Sequence, residues 1–399
     1  MKLRNIVVGM LVLGLAAPAS AAYGTQMNHK AAVAGSGSSN GCAASSISTT
    51  AMGNSYTSGS DNQTCWFNRI ALGGSMAMDL GRVQNKASGV KTNNKILNIR
   101  NAAFSADVAV AKDWAAHFTM NMYQDNAYAN AAHTSTLTAT VDEAWVYYRD
   151  ATAPVYFKLG KMFVDFGSYT NPYTAMPSLN QMTTQFDANA LQLGWSGDQG
   201  FDASVLAMLI DTTTAGTVQK HAVGANASYH GELQKGVNVS ANIGVINDVR
   251  GIYSAAGNVS GAATDRHDLG ETFWVTGLTV ERKSALTGAL NIDFEGFNGY
   301  VNYVHAPELV AATVNTKLNV WGFGVGYTTT VNVPMHFNFG YEKTNANSKA
   351  IFAAKNHISA SVTADVVKNV SVGVSWNKYE HFTTNTDITA LLATAEVSF

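Results

Sequence analysis

From residue 66 onward, apolar and polar positions alternate with a period of two, the mark of strands that meet a different environment on each face. In "WFNRIALGGSMAMDL", Ile70, Leu72, Met76, Met78 and Leu80 alternate with Arg69, Ala71, Gly73, Ser75 and Asp79. In "WAAHFTMNMYQD", Trp114, Phe118, Met120 and Met122 face one way, while His117, Thr119, Asn121 and Asp125 face the other. The stretches "VNVSANIGV", "MHFNFGYE" and "VSVGVSWN" repeat the theme. So does the final "LLATAEVSF", where Phe399, Val397, Ala395 and Ala393 share a face opposite Ser398, Glu396 and Thr394. A bulky apolar residue in a last strand needs something other than water to solvate it, because termini ordinarily fray into solvent.

The pattern predicts strands at approximately 66–80, 96–111, 113–125, 136–149, 154–163, 188–196, 200–212 and 221–231. Further strands are predicted at 235–247, 286–294, 297–305, 317–330, 333–343, 356–365, 369–379 and 388–399. A soluble sandwich also alternates, so the connections have to discriminate. Short ones fall at Lys112-Asp113, Ala151-Thr152, Asp198-Gln199, Gly231-Glu232, Glu295-Gly296, Asn332 and Lys368. Long polar ones fall around 81–95, 126–135, 164–187, 248–285 and 306–316. Short and long connections alternate, which is the layout of an outer-membrane barrel with tight periplasmic turns and longer outside loops. The fold class read from the chain is therefore all-β, a transmembrane antiparallel β-barrel of about 16 strands. Phe399 then stands at the periplasmic rim with its ring in lipid. Trp66, Trp114, Trp195, Tyr229, Trp321, Tyr341 and Trp376 are candidates for the aromatic girdles.

Composition agrees. Charged residues make up 13% of the chain, against about 25% in soluble domains. Proline is scarce at 6 and glycine abundant at 35. The net charge of -2 gives no reason to expect a nucleic-acid partner. The opening "MKLRNIVVGMLVLGLAAPASA" carries Lys2 and Arg4, an apolar run and an Ala-Ser-Ala site, and reads as a signal peptide over 1–21. Residues 22–65, rich in Gly, Ser and Ala, read as a flexible periplasmic segment, and 66–399 as the barrel. The two cysteines, Cys42 and Cys65, precede the regular pattern, and in an exported chain a lone pair is expected to form a disulfide.

A barrel of about 16 strands leaves an aqueous lumen, whereas gated transporters use about 22 strands and a plug. Residues 22–65 are too few and too simple for such a plug. The chain has no Gly-x-Ser-x-Gly and no His-Glu-x-x-His. "GFGVG" lies within an alternating strand, where Gly322, Gly324 and Gly326 are small lumen-facing positions. The reading is a channel, with no catalytic residue, metal or cofactor. Its partners are outer-membrane lipid, the barrel assembly machinery and a small solute, and a homo-oligomer is left open. The location is the cell outer membrane.

The most specific stretch is "DEAWVYYRDATAPVYFKLGKMFVDFGSYTNPYTAMPSLNQMTTQF", Asp142 to Phe186. It resembles the LbtU-type siderophore porins and, more loosely, the phosphate-selective porins. In those families an Asp-Glu-Ala-Trp strand is followed by Gly-Lys, Pro-Phe-Gly and a substrate-side loop. Here Asp165 stands where the pattern has Pro, and the N-terminal segment lacks coiled-coil character. The resemblance implies uptake of a ferric siderophore or another small anion without a plug. The alternatives are a general diffusion porin or a structural or adhesive barrel. An anionic solute would favour a constriction lined by cations. The candidates on polar faces are Arg69, Arg100, Arg149 and Lys158, with Lys161 at the mouth. Loop 164–187, carrying Phe166, Tyr169, Tyr173 and Phe186, is expected to fold inward from the outer end of the fifth strand. A chain ending on an outward Phe also looks like the terminal signal read by barrel insertion machinery, which gives Phe399 a role in assembly.

Overall fold

A computed structural model of the chain describes residues 70–87, 89–111, 113–124, 137–149, 153–164, 166, 176, 178–184, 187–197, 200–211, 219–248, 284–311, 314–345, 354–382 and 387–399, and on the N-terminal side 30–31, 47–50 and 53–56. The last three pieces are strands β1 (Lys30–Ala31), β2 (Ile47–Thr50) and β3 (Gly53–Tyr56), an antiparallel sheet inside the segment expected to be flexible. The Ser/Thr-rich pairing of Thr50 with Gly53 closes β2 and β3 around a two-residue connection.

The barrel begins with β4 (Ile70–Ala87), β5 (Val90–Ala111), β6 (Trp114–Gln124), β7 (Leu137–Arg149), β8 (Val155–Phe163) and β9 (Asp187–Ser196). It continues with β10 (Phe201–Asp211), β11 (Gln219–Gln234), β12 (Val237–Ile246), β13 (Ala285–Phe294) and β14 (Phe297–Ala311). The last five are β15 (Val314–Thr330), β16 (Pro334–Thr344), β17 (Ala354–Val367), β18 (Val370–His381) and β19 (Asp387–Ser398). Each pairs antiparallel with its neighbour in the chain, and β19 returns to β4, so sixteen strands close on themselves. Closure leaves no edge strand with unpaired backbone groups. The seam ends in two reciprocal bonds, Phe399 N–H to the Gly74 carbonyl at 2.9 Å and Gly74 N–H to the Phe399 carbonyl at 3.0 Å.

Burial follows the alternation. Along β9, Ala190 and Gln192 are 6% and 3% exposed, whereas Leu191 and Leu193 are 39% and 51% exposed. The outer face is thus the apolar one, the inverse of a soluble protein. The predicted girdle residues Trp114, Trp195, Trp321 and Trp376 all stand exposed on it. Trp66 lies outside the described residues.

The predicted short connections fall at one end. Glu295 and Gly296 both take positive φ, 46° and 85°, in a two-residue turn whose twist matches the flanking strands. One predicted turn moves. Gly231-Glu232 lies inside β11, and the turn is at Lys235-Gly236. Gly231 pairs with Val239 in the ladder, and its missing side chain leaves room for the Tyr229 hydroxyl, which would lie 2.5 Å from a Cβ there. Two of the predicted long loops also change character. Residues 81–95 continue β4 and β5 as a ladder up to the Ala87–Val90 pair, and 306–316 likewise continue β14 and β15 to the Ala311–Val314 pair. Beyond the apolar belt the alternation changes sense, with Val83, Ile96 and Leu318 buried inside and Arg82 and Lys95 exposed outside, so the outward apolar pattern ends while the backbone ladder goes on.

A candidate pore and its lining

One helix, α1 (Leu179–Thr184), belongs to the connection between β8 and β9, and all six of its residues are buried. It packs against β14, β15, β16 and β17. The residue that receives it, Glu342, shares the inner face of β16 with Gly340 and Thr344, opposite the exposed Phe339. The helix therefore lies inside the barrel. Its first backbone amides, Leu179 N–H and Asn180 N–H, donate to the two Glu342 carboxylate oxygens at 2.6 and 3.2 Å. Ser178 Oγ accepts from Gln181 N–H at 2.9 Å as an N-cap. A carboxylate at this end satisfies orphan amides and meets the positive pole of the peptide dipoles. Thr183 and Thr184 turn their hydroxyls back onto the carbonyls of Leu179 and Asn180, so the buried helix hides its own polarity. Val164, Phe166 and Met176 of the same connection are also buried.

The wall holds Glu342 in turn. His357 Nδ1 lies 3.0 Å from Glu342 Oε2, and His357 Nε2 lies 3.2 Å from Asn377 Oδ1. The imidazole stacks on the Tyr379 ring at 4.2 Å and 3°. Beside this patch the inner wall carries glycines, Gly324 on β15 and Gly340 on β16. Tyr300 lies flat against it, since a Cβ at Gly324 would come within 2.1 Å of the Tyr300 ring and one at Gly340 within 2.8 Å of its hydroxyl. The expected small inner positions in "GFGVG" are thus the seat of an aromatic ring.

Half a turn around the strand order, β5 to β8 present a second buried network. His117 Nδ1 is 2.6 Å from Asp107 Oδ1, and its Nε2 is 3.6 Å from Glu143 Oε2. Trp145 stacks on the His117 ring at 4.7 Å and donates its indole N–H to Glu143 at 3.2 Å. The Lys158 ammonium sits 4.5 Å from the centroid of the Trp145 ring. Further round, Arg100 faces Asp79 at 3.9 Å and Glu396 at 3.5 Å.

Of the six lining residues predicted from sequence, Arg100, Arg149 and Lys158 fall on the inner face. Arg149 pairs in register with Tyr156, whose hydroxyl donates to Asp202 at 3.0 Å. Lys161 does not belong with them. It shares the face of Val155 and Leu159, which are 46% and 50% exposed, and its ammonium donates to the Val141 carbonyl. The period-two rule puts it on the outer surface, at the end of an apolar run. Arg69, Tyr169, Cys42 and Cys65 lie outside the described residues. Phe399 is exposed on the outer face, as expected. Glu342 and His357 were not singled out by sequence. They look like any other inward polar positions, and only the docking of a helix from the other half of the chain distinguishes them.

The barrel is of the kind found in outer-membrane porins. The outer membrane channel DcaP of Acinetobacter baumannii is similar with a TM-score of 0.52 at 13% identity, over 83% of this chain and 97% of that one. An anion-selective porin from Comamonas acidovorans reaches 0.54 at 10% identity, over 83% and 99%. OmpF of Salmonella typhi, in complex with daunomycin, reaches 0.51 at 13% identity, over 83% and 97%. No protein-family model matches the chain, and neither does any curated protein. Likeness at these identities establishes the fold, and the inference of function rests on the lining.

Proposed function

We propose that the protein is an outer-membrane diffusion channel for small hydrophilic solutes, with its short turns in the periplasm and α1 narrowing the lumen. The observation that carries this is a buried helix anchored to the inner wall of a closed sixteen-strand barrel with an apolar outer face. Barrels of this size hold more space than side chains fill, and an inward connection restricts that space.

The charge of the wall bears on the solute. Arg100 faces two carboxylates, Asp79 and Glu396, and His117 also faces two, Asp107 and Glu143. Asp202 and Glu342 add to the inner face, against which stand Arg149 and Lys158. A lumen so lined favours cations or neutral solutes. This runs against the ferric siderophore or other small anion that the sequence resemblance implied, and the general-diffusion alternative fits better. Purified protein in a planar bilayer with a potassium chloride gradient tests both parts. Discrete conductance steps with a reversal potential on the cation side are expected. Absence of steps would remove the channel, and a reversal potential on the anion side would restore the anion reading.

A further inference from the structure

The β4–β5 hairpin carries two cross-strand pairs of like charge on its outer face. Arg82 is directly opposite Lys95, and Lys86 is directly opposite Lys91. Between them Gln84 donates to Asn93 at 2.8 Å, which fixes all three pairs on one surface. The opposite surface of the same hairpin is buried at Val83 and Ile96. Like charges directly opposite each other in a sheet are destabilising. Among the described residues none of the four cations forms an ion pair. Asp387 is opposite Lys86 on its other side and offsets one of the four.

Their height on the barrel is informative. The outer face of β4 reads Leu72, Met76, Met78, Leu80 and then Arg82; that of β5 reads Phe104, Ile99, Leu97 and then Lys95. The first cation on each strand thus stands where the apolar belt ends, at the long-connection end. Lys161 on β8 and Lys343 on β16 end their apolar runs in the same way. At ~3.3 Å per residue, the two hairpin pairs are about 13 Å apart. Lysine and arginine recognise phosphate by charge and by N–H geometry.

We infer that this strip of the hairpin is a binding site for the phosphate groups of outer-leaflet lipid, an anion to match cations that form no ion pair among the described residues. The inference rests on the outer-membrane reading above.

The test compares the full-length protein with Arg82→Gln/Lys95→Gln and, separately, Lys86→Gln/Lys91→Gln, reading the temperature at which the folded barrel loses its compact gel mobility. In uncharged detergent each variant is expected to match or exceed the wild type, since repulsion has been removed. In phosphatidylcholine vesicles containing diphosphoryl lipid A the wild type should gain several degrees and each variant less than half of that gain. Equal gains in wild type and both variants would overturn the site, and so would variants already less stable in detergent, which would make the cations structural. An equal gain on adding inorganic phosphate in detergent would overturn the assignment to lipid. Conductance is measured alongside. A lipid-stabilised barrel that passes no current sinks the channel alone, and a conducting barrel indifferent to the lipid sinks this site alone.

Discussion

The ring of Phe399 lies over Gly74 across the closing seam, at the point where their backbones exchange two hydrogen bonds. A Cβ at Gly74 would come within 2.4 Å of the Phe399 Cζ and 2.6 Å of the Ala103 carbonyl oxygen. One residue has no side chain so that the other's can lie flat on the outer surface.

Gly74→Val should therefore weaken the barrel by about 1–3 kcal/mol, the ordinary cost of overpacking. Phe399→Asp should do worse, since it puts a charge on the lipid face and also uncovers the seam. Urea unfolding in vesicles measures the first, and the fraction of compact, heat-modifiable barrel recovered from outer membranes measures the second. Unchanged values for both would mean that the seam is held by backbone pairing alone.

Glu342→Ala should loosen α1. It removes the acceptor for two helix amides, at a cost of about 1.5–3 kcal/mol for hydrogen bonds to a charged group. Single-channel records are expected to flicker among several levels where the wild type holds one. A steady trace of wild-type amplitude would show that burial of α1 suffices without its anchor.

Lys158 and Lys161 separate the two faces of β8. Lys158→Glu should shift the reversal potential further toward cations, because the ammonium stands on the inner wall above Trp145. Lys161→Glu should leave it alone, because that side chain is on the outside. Equal shifts from both would contradict the register of β8.

Phe339 and Asn338 make the same comparison for stability. Arg in place of the exposed, outward Phe339 should cost about 2–4 kcal/mol where the face meets lipid. Arg at the inward Asn338 should fold and alter conductance. Equal tolerance, read by unfolding in vesicles, would favour a water-exposed outer surface.

Much of this architecture is legible from residue order alone, because a wall that is apolar on one side and polar on the other imposes a period of two. The boundaries of β6, β8, β9 and β16 follow from it to within a residue or two. The outward apolar pattern ends where the outer face turns polar, so the Gln84–Asn93 rung of the hairpin reads like loop. It can also be misapplied. The "KLGK" stretch suggests two lysines working together, although the parity of Val155, Phe157 and Leu159 assigns them to opposite faces.

 The anchor of α1 was not legible at all, because nothing local to Glu342 or His357 marks them off from other inward polar residues. Only the partner from a distant stretch of chain gives them their role.

That distance has a consequence for the order of events in assembly. Leu179 and Glu342 are separated by 163 positions, and His357, which braces the carboxylate, belongs to β17. The entropy of closing so long a loop has to be met before the contact yields anything. Without β14 to β17, α1 lacks the Glu342 acceptor for its first amides and the wall it packs against. Its docking surface comes into being only when β14 to β17 have been laid down. The lumen is thus narrowed only once both halves of the barrel are in place, by a surface of the second half acting on a segment of the first.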